Sequence, residues 1–540
     1  MPSTASILTI LGLAACGSTQ GGGTGGAGGS SAPSSSSSSA TATGTGGAAT
    51  SSSSSGSATS SSTGGSGGAT SSSSGTGGSG GATSSSSGTG GSGGATSSSG
   101  VGSTSASSGV SSSSASSSSA SSSSGGSSGS VWVKTFPIEM GPVLPPAMAG
   151  IGFNAVTTDA SDRVIIAGSF QGRIQFGGTV HDSPPQPPGD WAGYIVSLDG
   201  AGSFVWDATH GSSGQHGMTF TRVAANASGR VVATTTYTYL GGFPSQDLLV
   251  YGATGTPAWS KSYTPTSFDI YDRSLGVSAS GNVLLANWSG LAYDYGGGPI
   301  GNIALVQFDA AGQYLGGKKV PSGTLADTDI LRFAHDAAGN TYVTANSPGV
   351  NFGCGPAKAN LAKLDATGNC VWAKAFPGTL PTTLVTVDAS GNIFVGTSIQ
   401  QIADLGCGGI TNLDPTSLVV AKLDGTGACS WHKRYSSPSL AAQSSIKAIQ
   451  ADGLGNLLIH LALKGSADFG GGVIGTASTS EALVKLAPNG TFLSEVAPNQ
   501  GFAFAGGPTG DVYLVSSKGF DLGSGSLLDV PGMVVVKLAE

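Results

Sequence analysis

The chain has 540 residues, 92 of them glycine, and 21 Lys and Arg against 28 Asp and Glu give a net charge of -7. No Lys or Arg run occurs in it, which argues against nucleic acid as a partner, because phosphate binding needs a concentrated basic footprint. The charge is also unevenly placed: residues 17–130 are almost wholly Gly, Ser, Thr and Ala, and the first charged residue is Lys134.

From the N-terminus, the first apolar segment is ILTILGLAAC, ending in Leu13-Ala14-Ala15-Cys16. It is too short to span a bilayer. It resembles the lipobox of bacterial lipoproteins, although the preceding MPSTAS has no Lys or Arg. The resemblance implies a signal peptide over 1–15, cleavage before Cys16, acylation of that thiol and a membrane anchor, and Gly17 fits sorting to the outer membrane. The alternative is an ordinary signal peptide in which Cys16 is incidental.

Residues 16–130 form the expected linker. They lack the apolar side chains that would offset roughly 1–2 kcal/mol of backbone entropy per ordered residue, so disorder is expected. GGATSSSSGTGGS recurs from Gly67 and from Gly80 without an apolar face, which makes it a linker repeat. As a flexible coil this tract spans about 60 Å root-mean-square, enough to hold a folded domain away from a membrane.

From Val131 onward, Val, Ile, Leu and Ala alternate with Gly and Asn turns and no helical period is sustained, which reads as all-β. A turn of the form Asp-Ala-Ser-Gly-Asn recurs seven times, as DASDR at 159, NASGR at 226, SASGN at 278, DAAGN at 336, DASGN at 388, DGLGN at 452 and GPTGD at 507. Each is followed by a Gly-rich step, such as QFGG near Phe176 or DFGGG at Asp468, and then by a Leu-Asp turn such as KLDATG at 363. Aromatic strands centred on Trp206, Trp259, Tyr314, Trp372, Trp431 and Phe492 follow six of those turns, and the seventh copy ends at Glu540 without one.

VWVKTF, residues 131–136, stands at the start of this region with no repeat of its own. The natural expectation is that it supplies the missing outer strand, closes a ring and buries Trp132. The ordered recurrence resembles the bacterial seven-bladed β-propeller repeat family, which implies four-stranded blades over 131–540.

KLDATGNCVWAKAF, residues 363–376, is the fullest copy of the Asp, Gly and Trp pattern. It is similar to the tryptophan-docking motif of quinoprotein propellers and to the Asp box of sialidases, but the Asp-to-Gly spacing departs from both. The chain also has no adjacent Cys pair. Once-per-blade repetition fits a structural job: Asp caps the turn, Gly takes positive φ, and Trp packs between blades. No calcium ligand set, nucleophile elbow or phosphate loop appears, and His181, His210, His216, His335, His432 and His460 show no zinc spacing. The expectation is therefore no cofactor, no metal and no catalytic residue.

Cys354 and Cys370 lie in one copy as FGCG and GNC, and Cys407 and Cys429 occupy corresponding places in the next as LGCG and GAC. In an exported protein this favours two disulfides, Cys354 with Cys370 and Cys407 with Cys429, over four free thiols.

The Asp-Ala-Ser-Gly-Asn and Leu-Asp turns vary little and share one rim, whereas the connections on the other rim vary widely, where binding usually resides. The candidate ligand group there is Trp191, Tyr263, Phe268, Asp269, Tyr271 and Asp272, unless these rings only pin down long loops. The expected protein is a monomeric, membrane-anchored envelope lipoprotein, facing outward or into the periplasm, that binds a protein or a glycan without catalysis. The alternatives are a periplasmic scaffold for outer-membrane protein assembly and a quinoprotein-like or polysaccharide-acting propeller enzyme.

Overall fold

The computed structural model describes residues 130–539 apart from segments 140–148, 184–189, 212–214, 240–244, 265–269, 321–331, 347–349, 378–382, 400–402, 412–413, 415, 438, 442–443, 499–500, 518–519, 522–525 and 528–531. Residues 1–129, and with them the expected signal peptide, Cys16 and most of the expected linker, lie outside the described residues. Every regular element among the described residues is a strand.

Six four-stranded antiparallel sheets and one closing sheet make seven blades. From the innermost strand outward, blade 1 is Gly150–Thr158, Val164–Gln171, Ala192–Leu198 and Phe204–His210; blade 2 is Gln215–Ala225, Val231–Tyr239, Ser245–Tyr251 and Pro257–Tyr263. Blade 3 is Ile270–Val277, Val283–Asp294, Pro299–Phe308 and Tyr314–Lys319; blade 4 is Arg332–His335, Thr341–Thr344, Leu361–Leu364 and Cys370–Lys374. Blade 5 is Thr383–Val387, Ile393–Ile399, Ser417–Leu423 and Cys429–Ser436; blade 6 is Ser445–Ala451, Leu457–Asp468, Val473–Leu486 and Phe492–Val496. Blade 7 joins Ala503–Gly506, Val512–Ser516 and Gly532–Leu538 to the first strand of the domain, Ser130–Glu139. The innermost strands contact one another in succession, and that of blade 7 returns to that of blade 1, which closes the ring. The central two strands of each blade are the most apolar, and their Val, Ile and Leu side chains fill the seams between blades.

Closure follows the expected register: Trp132 pairs with Lys537, Val133 with Val536 and Phe136 with Met533. The strand starts one residue early, at Ser130, and its far end pairs through Ile138 and Glu139 with a short hairpin strand of blade 1, Arg173–Gln175. One expectation is corrected. Trp132 is only half-buried, because its ring lies over the blade 1 turn at the rim, where Gly202 leaves space for it and Tyr513 meets it at 5.9 Å.

The recurrent turns explain their own composition. In the first turn of blades 1, 2, 5 and 6 a side-chain oxygen accepts from backbone N–H groups two and four residues on, as Asp388 Oδ1 does from Ser390 and Asn392; Ser278 and Asp336 accept from the N–H four residues on, and blade 7 has Gly507 at that place. The Leu-Asp turn repeats the device, with Asp365 Oδ1 accepting from Thr367 and Asn369. The fourth residue of these turns takes positive φ and is glycine in every copy but one; the exception is Asp162, at φ 60°.

The Trp pattern joins blades. The indole N–H of Trp259 donates to Ala310 O in the next blade at 3.0 Å, Trp431 to Pro488 O at 3.0 Å and Trp372 to Gly425 O at 3.2 Å. In several seams a cation donates to the same carbonyl: Arg230 to Ala310 O at 2.8 Å and Lys422 to Pro488 O at 3.2 Å. In the first seam Arg163 holds Ala253 O, and among the described residues the Trp206 N–H has no hydrogen-bond partner.

A second correction concerns Tyr314 and Phe492, which are not counterparts of the tryptophans. They stand two residues earlier in the outer strand, level with Phe204, Cys370 and Cys429, and their rings cover the Gly-rich step of their own blade at Gly297 and Gly471. In blades 4 and 5 cysteine occupies both ends of that contact, and the disulfides Cys354–Cys370 and Cys407–Cys429 form there, with Cα separations of 5.8 and 5.2 Å. Ring over glycine and disulfide are thus alternative ways of fastening one hairpin.

Candidate functional site

The expected rim group divides on inspection. Trp191 is half-buried, with its ring against the backbone of Gly150. Tyr263 does not reach the rim surface: it is 4% exposed, because the end of each outer strand packs against the Gly-rich step of the next blade. Its ring lies 5.3 Å from that of Tyr295 and 6.0 Å from that of Tyr293, as Phe136 meets Phe176 at 5.5 Å and Tyr435 meets Phe469 at 4.4 Å in other seams. Burial pushes the Tyr263 hydroxyl well above the usual phenol range, and Tyr295 and Tyr293 add to the shift. Phe268 and Asp269 lie outside the described residues. Tyr271 and Asp272 are in the innermost strand of blade 3, opposite Trp288 and Asn287, with only their backbone described.

Beneath this segment the seam of blades 2 and 3 holds a buried polar pair. Asn287 Nδ2 donates to Gln246 Oε1 at 2.7 Å, and both residues are fully buried. The Tyr295 hydroxyl faces Asn287 and Ser289, and burial holds it up at about 12.

The sequence reading missed Arg222, Arg273 and Arg332. They come from the innermost strands of blades 2, 3 and 4, which are neighbours in the ring. Arg222 is exposed, Arg273 and Arg332 are half-buried, and the Arg273 guanidinium lies 6.0 Å from the centre of the Trp288 ring. Burial, and then repulsion from Arg222 and Arg273, holds Arg332 down at about 10. The signal was present in the repeat alignment: the arginines stand four, five and four residues before Asn226, Ser278 and Asp336. Separated by 51 and 59 residues, they do not read as a basic run.

Two other clusters are structural. His335 is held by Ser274 Oγ at 3.0 Å on Nε2 and Thr341 Oγ1 at 3.1 Å on Nδ1, and burial keeps the ring at about 4. Lys537 is 6% exposed; it reaches Asp511 of its own blade at 3.0 Å and, across the closing seam, Asp162 at 2.6 Å and Gly200 O at 3.2 Å. Among the described residues no group of three His, Cys, Asp or Glu side chains could hold a metal ion.

No family model matches the chain, and no curated protein matches it. Among solved structures it is similar to a protein of unknown function from Bacteroides caccae, at 12% identity over 56% of this chain and 89% of that one, with a TM-score of 0.31. A europium-containing methanol dehydrogenase aligns at 12% identity over 68% and 91%, TM-score 0.32, and the WD40 domain of SCAP from fission yeast at 8% over 75% and 98%, TM-score 0.33. Likeness at this level says nothing about activity.

Proposed function

We propose that the protein is a membrane-tethered envelope lipoprotein that presents its propeller as a non-catalytic binding module for a protein or glycan. The observation that carries this reading is the order of parts. A lipobox-like Leu13–Cys16 segment is followed by an uncharged Ser/Gly tract and then by a ring closed on itself and fastened by two disulfides. Disulfides suit an oxidising compartment, and a long polar tether suits display away from a bilayer.

Cell fractionation of the Cys16→Ser variant tests the anchor: release from the membrane fraction is expected, and retention would remove it. Protease shaving of intact cells separates outward display, in which the propeller is cut away, from a periplasmic assembly scaffold, in which it is protected. A pull-down with the full chain on envelope extracts tests binding, and turnover of any member of a glycan panel would replace the binding module by an enzyme.

A further inference from the structure

Five blades carry a tryptophan in the outermost strand, against the next blade: Trp206, Trp259, Trp372 and Trp431 in blades 1, 2, 4 and 5, and Trp132 in blade 7. In register this place lies opposite Lys422 for Trp431 and Lys537 for Trp132, and in blade 6, opposite Lys485, it falls to Ser494. The ring beside it is lost as well. Phe394, 6.2 Å from Trp431, and Tyr513, 5.9 Å from Trp132, pair with those same lysines from the other side, and their counterpart opposite Lys485 is Leu458. The lysine two residues after the tryptophan, Lys433 in blade 5 and Lys134 in blade 7, becomes Val496. Blade 3 also lacks the tryptophan, at Gly316, but there the Lys318 stem lies over Gly368, the turn glycine that faces an indole in other seams. Between blades 6 and 7 a slot lies in the vacated place, lined by Leu458, Leu483, Val496, Val512, Leu538 and Ser494. Ser494 and Val496 are only half-buried, so the slot opens to the outer edge of the ring.

We propose that this slot is a docking point for a tryptophan side chain presented by a protein partner. The occupant is argued from the fold itself: the slot continues an interface that is filled by the chain's own indole in five other seams, and the strand geometry that holds those rings is kept here. Its walls are apolar, and apolar atoms facing a void forfeit dispersion contacts that an entering ring restores. Lys485 also lines the slot, held by Gly510 O at 2.6 Å and Asp452 at 3.5 Å. Its counterparts Lys422 and Lys537 lie over the Phe394 and Tyr513 rings at 5.0 and 5.3 Å, so a π face brought in by a partner meets a cation of the kind that its neighbours already use. The proposal rests on the reading of the propeller as a binding module and narrows its ligand to a protein.

The test is fluorine NMR of a Ser-Gly-Trp-Gly-Ser peptide carrying fluorotryptophan, titrated with the full chain. Wild type is expected to shift and broaden the resonance, and the unlabelled peptide to reverse the effect, whereas its alanine counterpart, maltose and galactobiose do not. Ser494→Trp, which fills the slot with the chain's own indole, should weaken peptide binding about tenfold or more and raise the melting temperature. Leu458→Phe, which restores the ring of blades 5 and 7 and narrows the slot, should also weaken binding, and it keeps the test open if Ser494→Trp does not fold. No response from wild type, or a wild-type response in both variants, would overturn the proposal. So would a folded Ser494→Trp that melts lower than wild type, since the slot then does not accept an indole. Displacement of the peptide by either sugar would make the slot a glycan site, and a dimer that Ser494→Trp dissociates in sedimentation would put a second copy of the chain there; each overturns the proposal. An envelope component captured equally by wild type and Ser494→Trp, with no peptide bound by wild type, removes the slot and leaves the binding module standing.

Discussion

The indole N–H of Trp132 donates to the carbonyl oxygen of Gly200 at 3.0 Å, tying the N-terminal strand to the blade on the far side of the closing seam. Lys537, its partner across the strand pair, donates to the same oxygen. The seam therefore repeats the Trp-and-cation arrangement found at Ala310 and Pro488, with its two halves drawn from opposite ends of the domain.

Deleting residues 131–136 is expected to lower the melting temperature sharply and to promote aggregation, because it exposes the edge of strand Gly532–Leu538. Removing 17–129 should leave the melt almost unchanged. Trp132→Ala alone should cost about 2–3 kcal/mol, below the usual range for a fully buried Trp, since the ring is only half-buried. Equal melts for the two truncations in scanning calorimetry would contradict the closed ring.

The interchange of ring and disulfide gives a second test. Cys354→Ser with Cys370→Ser should destabilise the domain by about 3 kcal/mol in urea melts, since the bridge spans 16 residues. Cys354→Gly with Cys370→Phe, which copies the Phe492 and Gly471 arrangement, should recover a good part of that loss. No difference between the two pairs would mean that the positions are not interchangeable. Non-reducing peptide mapping should recover both bridged pairs.

Gly312 takes φ +85°, and a Cβ there would lie 2.8 Å from the Trp259 ring of the preceding blade. Gly312→Ala should therefore cost about 2–4 kcal/mol, combining left-handed strain with displacement of the indole. Gly391→Ala, also at positive φ (+80°) but with open space beyond it, should cost only about 1 kcal/mol. Equal costs in denaturant melts would show that the contact with Trp259 adds nothing.

His335 supplies a pH dependence. Its folded-state value, about 4, lies below the ordinary 6.5, so the unfolded chain binds the proton more readily. The neutral ring favours the fold above pH 6.5, and that contribution is lost as pH falls from 6.5 toward 4. Between these limits His335→Gln should flatten the stability profile by about 1–3 kcal/mol. An unchanged slope in melts across that range would remove His335 as its source.

Much of the fold was legible because its determinants are local. Asp388 and Gly391 of one turn are three residues apart, and a turn repeated seven times marks the blades without knowledge of their packing. The unpaired VWVKTF segment likewise announced closure, and the matched positions of Cys354 and Cys407 announced the disulfides, because equivalent places in successive copies are equivalent places in space. The seams were decided only in three dimensions. Tyr513 and Asp162 meet across 351 residues, and Tyr263 is buried by Tyr295 of a different blade. Only an offset of two residues, five from Asp309 for Tyr314 against seven from Gly252 for Trp259, separates a ring that covers its own hairpin from one that reaches the next blade, and the structure supplies the meaning of that offset. The arginine cluster belongs to the same class. Each arginine alone is one cation on an innermost strand, and only the ring's curvature sets Arg222, Arg273 and Arg332 against one another, since charge acts through space and not along the chain.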